Sequence, residues 1–273
     1  MLIAMRYFLV FILYSFLGWS CEVVYCSIPA KKFINRGFLA GPVCPIYGVG
    51  ALLVVHLLTP VAENPVAIFV CGAVLTSALE YATSFLLEKL FHTKLWDYSQ
   101  RKWNIHGRVC LLNSSLFGLM SLLVMDFIHP LMLRIVGALS DIWLIIASSI
   151  LFVIFLADTM TTVRTMLLMN KKLEKIHETL DEMREKLSDL GWEQNLLARE
   201  RIDEWLSQKQ ALSDEIRKRL EGYRDKIRQT ALSKRLGQRR ILKAFPTMKS
   251  PLHSEALQNL RDALMNLKDK KKK

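Results

Sequence analysis

Four polar side chains recur at every fourth position of a long apolar segment, at Thr76, Glu80, Ser84 and Glu88. A helix places such positions on one side, where they form a polar stripe. An acidic side chain at the centre of a membrane helix costs roughly 3 kcal/mol on insertion scales, so it usually faces a bundle interior or a wet cavity. The stripe therefore predicts a path or site for a proton or a polar substrate.

An irregular stretch, Ile34–Gly50, is expected to lie beside the stripe. It reads INRGFLAGPVCPIYGVG and contains four glycines and two prolines, which break helices. Irregular backbone at membrane depth is tolerated only where protein or water covers it. One interpretation is that the stretch lines a cavity in the inner leaflet together with the acids. The other is a tight packing turn whose glycines admit neighbouring helices.

A second stretch, Lys94–Leu111, combines aromatic and basic residues in the sequence KLWDYSQRKWNIHGRVCL. Aromatic and cationic side chains at one depth suit the headgroup interface, so the stretch could be an interfacial anchor. The alternative is a folded loop whose Asp97, Asn104 and Arg108 point into the bundle. Glu80 is expected to face the bundle, within reach of an Asn or Arg from one of the two stretches.

The candidate binding residues therefore come from apolar segments and from both irregular stretches. They are Glu22, Asn35, Arg36, Tyr47, Glu80, Tyr81, Glu88, Trp96, Asp97, Tyr98, Asn104 and Arg108. Five cysteines form no CxxC pair, and the sequence offers neither a metal-ligand cluster nor a catalytic motif. Catalysis on a lipid or lipid-linked group is one conceivable function of such acids, but we expect no enzyme, cofactor or metal.

Five apolar segments are long enough to cross a bilayer, which takes about 20 residues. They are residues 7–28, 39–60, 66–91, 110–133 and 140–162. The fold predicted for residues 1–163 is an all-α, five-helix transmembrane bundle. The loops after the first and third segments carry seven basic residues, whereas the opposite side carries two. This imbalance places the N-terminus outside and the C-terminus in the cytoplasm.

Most of the positive charge lies in a polar tail. The whole chain has a net charge of +12, from 37 basic and 25 acidic residues. Residues 164–240 are predicted to form coiled-coil helices, with a seam at Leu173, Ile176, Leu180, Met183, Leu187 and Leu190. A second series follows at Ile202, Trp205, Leu212, Ile216, Leu220, Tyr223 and Ile227. A hairpin within one chain and a dimer would both bury these seams. Residues 241–273 are predicted to be a linker, a short helix and a basic tail.

Four motifs in the first 163 residues carry a family resemblance: NRGFLAGPVCPIYGVG, LEYATSFLLEKLF, WDYS and NIHGRVCLLNSSLFG. In this order they resemble the type IV ABC-transporter membrane (permease-like) family of bacterial multi-spanning proteins, over about residues 7–160. The matched positions are Glu22, Asn35, Arg36, Gly37, Gly41, Pro42, Pro45, Tyr47, Gly48, Glu80, Tyr81, Glu88, Trp96, Asp97, Tyr98, Asn104 and Gly107. Phe117 departs from the Trp expected before Gly118.

The resemblance implies a permease in a bacterial cell membrane that works with a separate ATPase subunit. This sequence has no G-x-x-x-x-G-K-[ST] loop, so it cannot itself supply ATP hydrolysis of that kind. The alternative function is a membrane-anchored scaffold or sensor that acts through its tail. The expected partners are the lipid bilayer and a second copy bound through the coiled coil. Nucleic acid is not expected, because charge alone is weak evidence for it.

Overall fold

The computed structural model describes residues 1–188, 214–233 and 237–265. Within these residues the regular structure is helical apart from one short hairpin and one isolated bridge, which confirms the all-α class. Packing divides the chain into two compact units. The first contains Met1–Thr165 and Arg240–Lys249, and the second contains Met166–Arg239 and the residues from Ser250 onwards.

Two long helices of the first unit have well-defined ends. Helix α1, Leu2–Ala30, ends where Lys31 adopts a left-handed conformation with φ of 47°. Helix α3, Pro65–Phe91, begins after Asn64, whose side-chain oxygen accepts hydrogen bonds from two backbone amides of the first turn. Pro65 follows at the first helical position, where its missing N–H costs nothing. Both helices lie close to the predicted segments.

Helix α2, Pro45–Leu58, is shorter than predicted and continues into a 3₁₀ turn at Thr59–Val61. The predicted start at residue 39 is wrong, because residues 39–44 are not helical. Gly41 and Pro42 explain this, since glycine favours non-helical backbone and proline disfavours the α conformation in the residue before it. The irregular backbone thus occupies the first part of the predicted segment.

The fourth predicted segment is a helical stretch with a change of geometry in its middle. Helix α4, Leu111–Leu123, passes through a π-helical turn at Val124–Ile128 into helix α5, His129–Gly137. Pro130 has no N–H to donate to the carbonyl four residues earlier, which suits a local departure from α geometry. The side chain of His129 accepts or donates a 2.7 Å hydrogen bond with the Tyr14 hydroxyl of α1.

Helix α6, Asp141–Ser188, runs without a break through the predicted boundary between membrane domain and tail. Its 48 residues correspond to about 72 Å at 1.5 Å per residue, more than twice a hydrocarbon core of about 30 Å. Packing, rather than a break in the helix, separates the two units after Thr165.

Four helical stretches of the described residues are long and apolar enough to cross a membrane. They are Leu2–Ile28, Pro65–Phe91, Leu111–Gly137 and Asp141–Glu185. The segment around α2, Pro45–Val61, is apolar but shorter. The chain is therefore a membrane protein with several spans, and the fifth crossing stays a prediction.

Glycines allow close contact between the helices of the first unit. A Cβ added at Gly18 would lie 2.3 Å from Tyr47 of α2, and one at Gly48 would lie 2.2 Å from the Ser15 hydroxyl of α1. A Cβ added at Gly118 of α4 would lie 2.8 Å from the backbone oxygen of Phe69 in α3. These contacts agree with the packing interpretation of the glycines in and beside the first irregular stretch.

The second unit buries the first part of the predicted seam. Leu173, Ile176, Leu180 and Met183 are all at most 5% exposed within one chain. Leu190 and much of the second series lie outside the described residues. Helix α7, Asp214–Leu232, helix α8, Gln238–Ala244, and helix α9, Ser254–Met265, follow along the chain. Ion pairs join α6 to α7 through Glu182 and Lys226, and α6 to α9 through Arg184 and Glu255.

A buried lysine holds the end of α7. Lys172 is 6% exposed, and its ammonium donates hydrogen bonds to the carbonyl oxygens of Ala231 and Ser233 and to the Gln238 side chain. The last carbonyls of a helix lack partners within the helix and carry partial negative charge. Lys172 therefore compensates for its own burial by satisfying them.

Replacing Gly118 by alanine is expected to destabilise the first unit. The added Cβ would lie 2.8 Å from the backbone oxygen of Phe69, which cannot swing aside as a side chain can. Overpacking of this kind costs about 1–3 kcal/mol, more than alanine gains in helix propensity. The control is Gly137→Ala, because nothing lies within 4 Å of that position. Thermal unfolding in mild detergent compares the variants, and equal midpoints would contradict the prediction.

Candidate functional site

The loop between α3 and α4, residues 92–110 and here called the second loop, is a folded structure. Strand β1, Asn104–Ile105, pairs antiparallel with strand β2, Val109–Cys110. The Asn104 side chain accepts from the Gly107 amide at 3.0 Å and donates to the Arg101 carbonyl at 2.7 Å. Gly107 has a φ of 69°, which favours glycine. Asn104 therefore shapes the turn, and the expectation that it points into the bundle is wrong.

Arg108 attaches this loop to α3. Its guanidinium donates to Glu88 at 2.7 Å and to the Tyr81 hydroxyl at 3.1 Å. It also lies 5.1 Å from the centre of the Tyr81 ring. The indole of Trp96 donates to the backbone oxygen of Arg108 at 3.1 Å, which fixes the strand that carries the arginine. Arg108 thus binds α3, and its acidic partner there is Glu88. Its expected position inside the bundle stays a prediction.

The loop between α1 and α2, residues 31–44 and here called the first loop, supplies a second ion pair. The Arg36 guanidinium lies 3.3 Å from Glu22 of α1, and Tyr47 of α2 hydrogen-bonds the same carboxylate. Asn35 accepts a 2.7 Å hydrogen bond from the indole of Trp19 and donates to the Ala40 carbonyl. Arg36 therefore binds an acid of the candidate site, whereas Asn35 stabilises the conformation of the loop.

Glu80 lies about two helical turns before Glu88 in α3 and has a neutral partner. The residue is 6% exposed, as expected for a side chain that faces the bundle. It hydrogen-bonds the side chain of Tyr98, which comes from the second loop. Burial and the nearby Glu80 raise the pKa of Tyr98, so its hydroxyl stays protonated and donates. The prediction that an Asn or Arg would be the partner of Glu80 is wrong, because Arg36 and Arg108 bind other acids.

The irregular backbone of the first loop is satisfied from two other parts of the chain. Asp158 of α6 accepts from the amides of Ala40 and Gly41 at 2.9 and 2.7 Å. The carbonyls of the same loop have a different partner: the guanidinium of Arg240 donates hydrogen bonds to three successive backbone oxygens at 2.7–3.0 Å. These belong to Gly37, Phe38 and Leu39.

Arg240 begins a segment, Arg240–Lys249, that we call the strap. Arg36 of the first loop donates to the Ala244 carbonyl at 2.6 Å and lies over the Phe245 ring, 5.1 Å from its centre. The other end of the strap reaches the second loop, where the backbones of Lys94 and Lys249 exchange two hydrogen bonds of 2.8 and 2.9 Å. The strap therefore contacts both loops of the site.

Asp97 faces the strap and its own loop. Its carboxylate accepts from the Ser99 amide and hydroxyl and lies 2.5 Å from the Lys249 ammonium. Burial alone would raise the pKa of Asp97, but the hydrogen bonds from Lys249 and Ser99 outweigh it and hold that pKa below its usual range. The expectation that Asp97 points into the bundle is wrong, since its partners lie in the loop and the strap.

The structure thus brings together part of the predicted set. Its polar core consists of Glu22, Arg36, Tyr47, Glu80 and Tyr98, with Tyr81, Glu88 and Arg108 along α3. Asn35, Trp96, Asp97 and Asn104 support the loops around it. Within the described residues, no three His, Cys, Asp or Glu side chains are grouped so as to hold a metal ion.

Sequence reasoning missed three residues that hold this site. Asp158 lies in the fifth predicted apolar segment but was not connected with the first loop, and Arg240 and Lys249 lie in segments predicted to be tail and linker. A signal for Asp158 existed, because an acid near the end of an apolar helix needs donors and the broken backbone offers amides. Arg240 and Lys249 could not be singled out, because they lie among many other basic residues.

Comparison with known proteins places the first unit in a family. Residues 9–163 match the family described as "Putative ABC-transporter type IV". The matched range contains both loops and every predicted site residue, but not the strap. No curated protein and no solved structure matches the chain.

A double-mutant cycle on Glu80 and Tyr98 is expected to show energetic coupling. Glu80→Leu leaves the buried Tyr98 hydroxyl without its acceptor, and Tyr98→Phe leaves the carboxyl without its donor, each at about 1–3 kcal/mol. The double variant should lose less than the sum, by about 0.5–3 kcal/mol. Glu80→Gln keeps an acceptor and should stay close to the unmodified protein. Unfolding in detergent measures all five proteins, and strictly additive losses in the double variant would contradict the contact.

Proposed function

Because the chain belongs to the type IV ABC-transporter family, we propose that it is a permease-like membrane subunit with a polar cavity built around Glu80. The cavity would be formed by α1, α2 and α3 and closed by the two loops. We propose a binding role without catalysis, since the side chains brought together are an acid–arginine pair, a second acid and two tyrosine hydroxyls. The transported substrate would approach Glu80 through this group.

The observation that carries the proposal is the state of Glu80. Among the described residues no Lys, Arg or His forms an ion pair with it, and its Oε2 is buried without a hydrogen-bond partner. Each of the other two acids, Glu22 and Glu88, has an arginine of its own. A buried carboxylate with no cation is costly, so a proton or the cationic part of a ligand must neutralise it. Such a group is what a transport site requires and a purely structural helix does not.

The proposed cavity lies on the cytoplasmic side of a bacterial cell membrane. The strap contacts both loops, so the ends of α1 and α3 that carry them lie on the same side. Two helices of spanning length can end on one side only if the chain returns between them, and α2 with its irregular approach provides that return. This supports five crossings. The seven basic residues in the two loops then favour the cytoplasm for this side.

A separate ATPase subunit would supply the energy. The chain lacks a phosphate-binding P-loop sequence, and members of an ABC-transporter family couple to nucleotide hydrolysis. Five spans are few for a complete pathway, so the permease would also pair with a second copy or another membrane subunit.

A scaffold or sensor function is the second candidate, and the second unit favours it. That unit has its own buried core and ion pairs, and the family match ends at residue 163, before the unit begins. Transport does not require such a domain, whereas a partner-binding role would. Because one chain buries Leu173, Ile176, Leu180 and Met183 by itself, a second copy would have to bind through another surface.

Co-purification from mild detergent tests the permease proposal. We expect an ATPase to accompany the full-length chain, and Glu80→Gln to lower the ATP turnover of the complex at least about tenfold without dissociating it. The control is Glu63→Gln, the same change at an exposed acid in the turn after α2, which should leave turnover unchanged. A complex that contains tail-binding proteins and no ATPase would instead support the scaffold.

Reporter fusions test the orientation. A reporter that is active only in the cytoplasm should work when fused after Lys273 and remain silent when fused before Met1. The physical reason is that positively charged loops are retained on the cytoplasmic side during insertion. Activity at both ends would mean an even number of crossings and would remove α2 from the list of spans.

A further inference from the structure

We infer that the two loops together form a peptide-binding site and that the strap is its built-in, dissociable ligand. The site would recognise a short segment with an arginine at one end, an aromatic residue in the middle and an extended basic end. Neither the family match nor the proposed transport role assigns such a site, and the inference stands whether or not the chain transports anything.

The arginine end of the strap makes the most specific contact. The three carbonyls of Gly37, Phe38 and Leu39 belong to irregular backbone, so no helix partner satisfies them. A guanidinium presents several donors in a fixed planar fork and can reach all three at once, as Arg240 does. Lysine has a single donor centre on a flexible stem and could not match this geometry.

In the middle of the strap the donor and acceptor roles of strap and loop are exchanged. Here the loop supplies the arginine, and the strap supplies a carbonyl and an aromatic ring. Arg36 donates to Ala244 at the end of α8, where helix carbonyls lack partners, and its guanidinium lies over Phe245. Because Arg36 also binds Glu22, one side chain connects the bound segment to the polar core of the membrane domain.

The far end of the strap is bound through its backbone. Lys94 and Lys249 form an antiparallel bridge. Such pairing requires an extended backbone in the bound segment and does not depend on its side chains. The ammonium of Lys249 adds a charge contact with Asp97, whose side chain is only 7% exposed. Backbone pairing, an aromatic contact and charged ends are the ordinary means by which proteins bind peptides.

The strap is short, and its specific contacts with the loops are hydrogen bonds, the Lys249–Asp97 ion pair and one cation–aromatic contact, which weaken with salt. Its Ile241, Leu242, Phe245 and Met248 side chains are at most 5% exposed, so release also has to uncover apolar surface. We treat the strap as a ligand that can leave because a competing segment with the same pattern could take over both kinds of contact. Release of the strap would leave three carbonyls of the first loop without donors. The first loop should then loosen around Cys44, which is 5% exposed and whose thiol donates to the Arg36 carbonyl.

Alkylation of Cys44 in the full-length protein reports on this release. Site-resolved mass spectrometry follows each cysteine, and Cys110, which is 2% exposed, monitors general unfolding. We expect Arg240→Ala to accelerate labelling of Cys44 about tenfold or more while Cys110 stays protected. The matched control is Arg228→Ala, the same change at an exposed arginine in the same basic region, which should alter neither rate. Unchanged labelling of Cys44 in Arg240→Ala would overturn the inference.

Addition of the peptide in trans separates binding from damage to the fold. A synthetic peptide of residues 238–252, QRRILKAFPTMKSPL, should restore protection of Cys44 in Arg240→Ala, whereas the same peptide carrying the Arg240→Ala change should not. Restoration by both peptides or by neither would overturn the inference. If Arg240→Ala also exposes Cys110, Lys249→Ala replaces it, because it removes only the Asp97 contact at an exposed side chain. A smaller, peptide-reversible acceleration is expected there, and none would count against the site.

Discussion

The backbone amides and carbonyls of the first loop need hydrogen-bond partners that no helix supplies, and the contacts of the first unit depend on this requirement. Residues 37–44 interrupt the helical path between α1 and α2, so their amides and carbonyls need donors and acceptors from elsewhere. A carboxylate on α6 accepts from two amides, and an arginine from a distant part of the sequence donates to three carbonyls. The two charged side chains are thereby bound to backbone groups of the loop, and the Asp158 carboxylate also attracts the Arg240 guanidinium. Removing either would leave backbone groups of the first loop without partners and the other charge without its counterion.

The distribution of charge then decides what remains available for a ligand. Two arginines, one from each loop, bind the acids nearest the loop ends of α1 and α3, Glu22 and Glu88. The acid deeper in α3 receives only a tyrosine hydroxyl. A structure that needed no ligand could have replaced Glu80 and Tyr98 together by apolar residues at little cost, since replacing both members of a buried polar pair is often close to neutral. Its retention beside two satisfied pairs is the physical basis of the proposed site.

The sequence allowed most of the helices and the polar stripe to be predicted, and it included Arg36 and Arg108 among the candidate site residues. Length and apolarity determine helices in a bilayer, and a spacing of four residues fixes which side chains share a face. Partner choice could not be predicted, because Glu22, Glu80 and Glu88 were equally available to either arginine on spacing alone. Asn104 was misassigned because its role depends on the positive φ of Gly107, a local feature of the turn. Arg240 was missed because contacts across 200 residues leave no periodic signal.

Asp158 also determines the helical phase of α6. Phe152 and Phe155 pack their rings against Phe8 of α1 at centroid distances of 5.7 and 6.4 Å, one turn before the carboxylate meets the first loop. A single residue inserted between Phe155 and Asp158 would rotate one contact by about 100° relative to the other. The helix could then keep its aromatic packing or its carboxylate bonds, but not both. Over this one turn α6 should therefore accept substitutions of similar shape far more readily than any change in length.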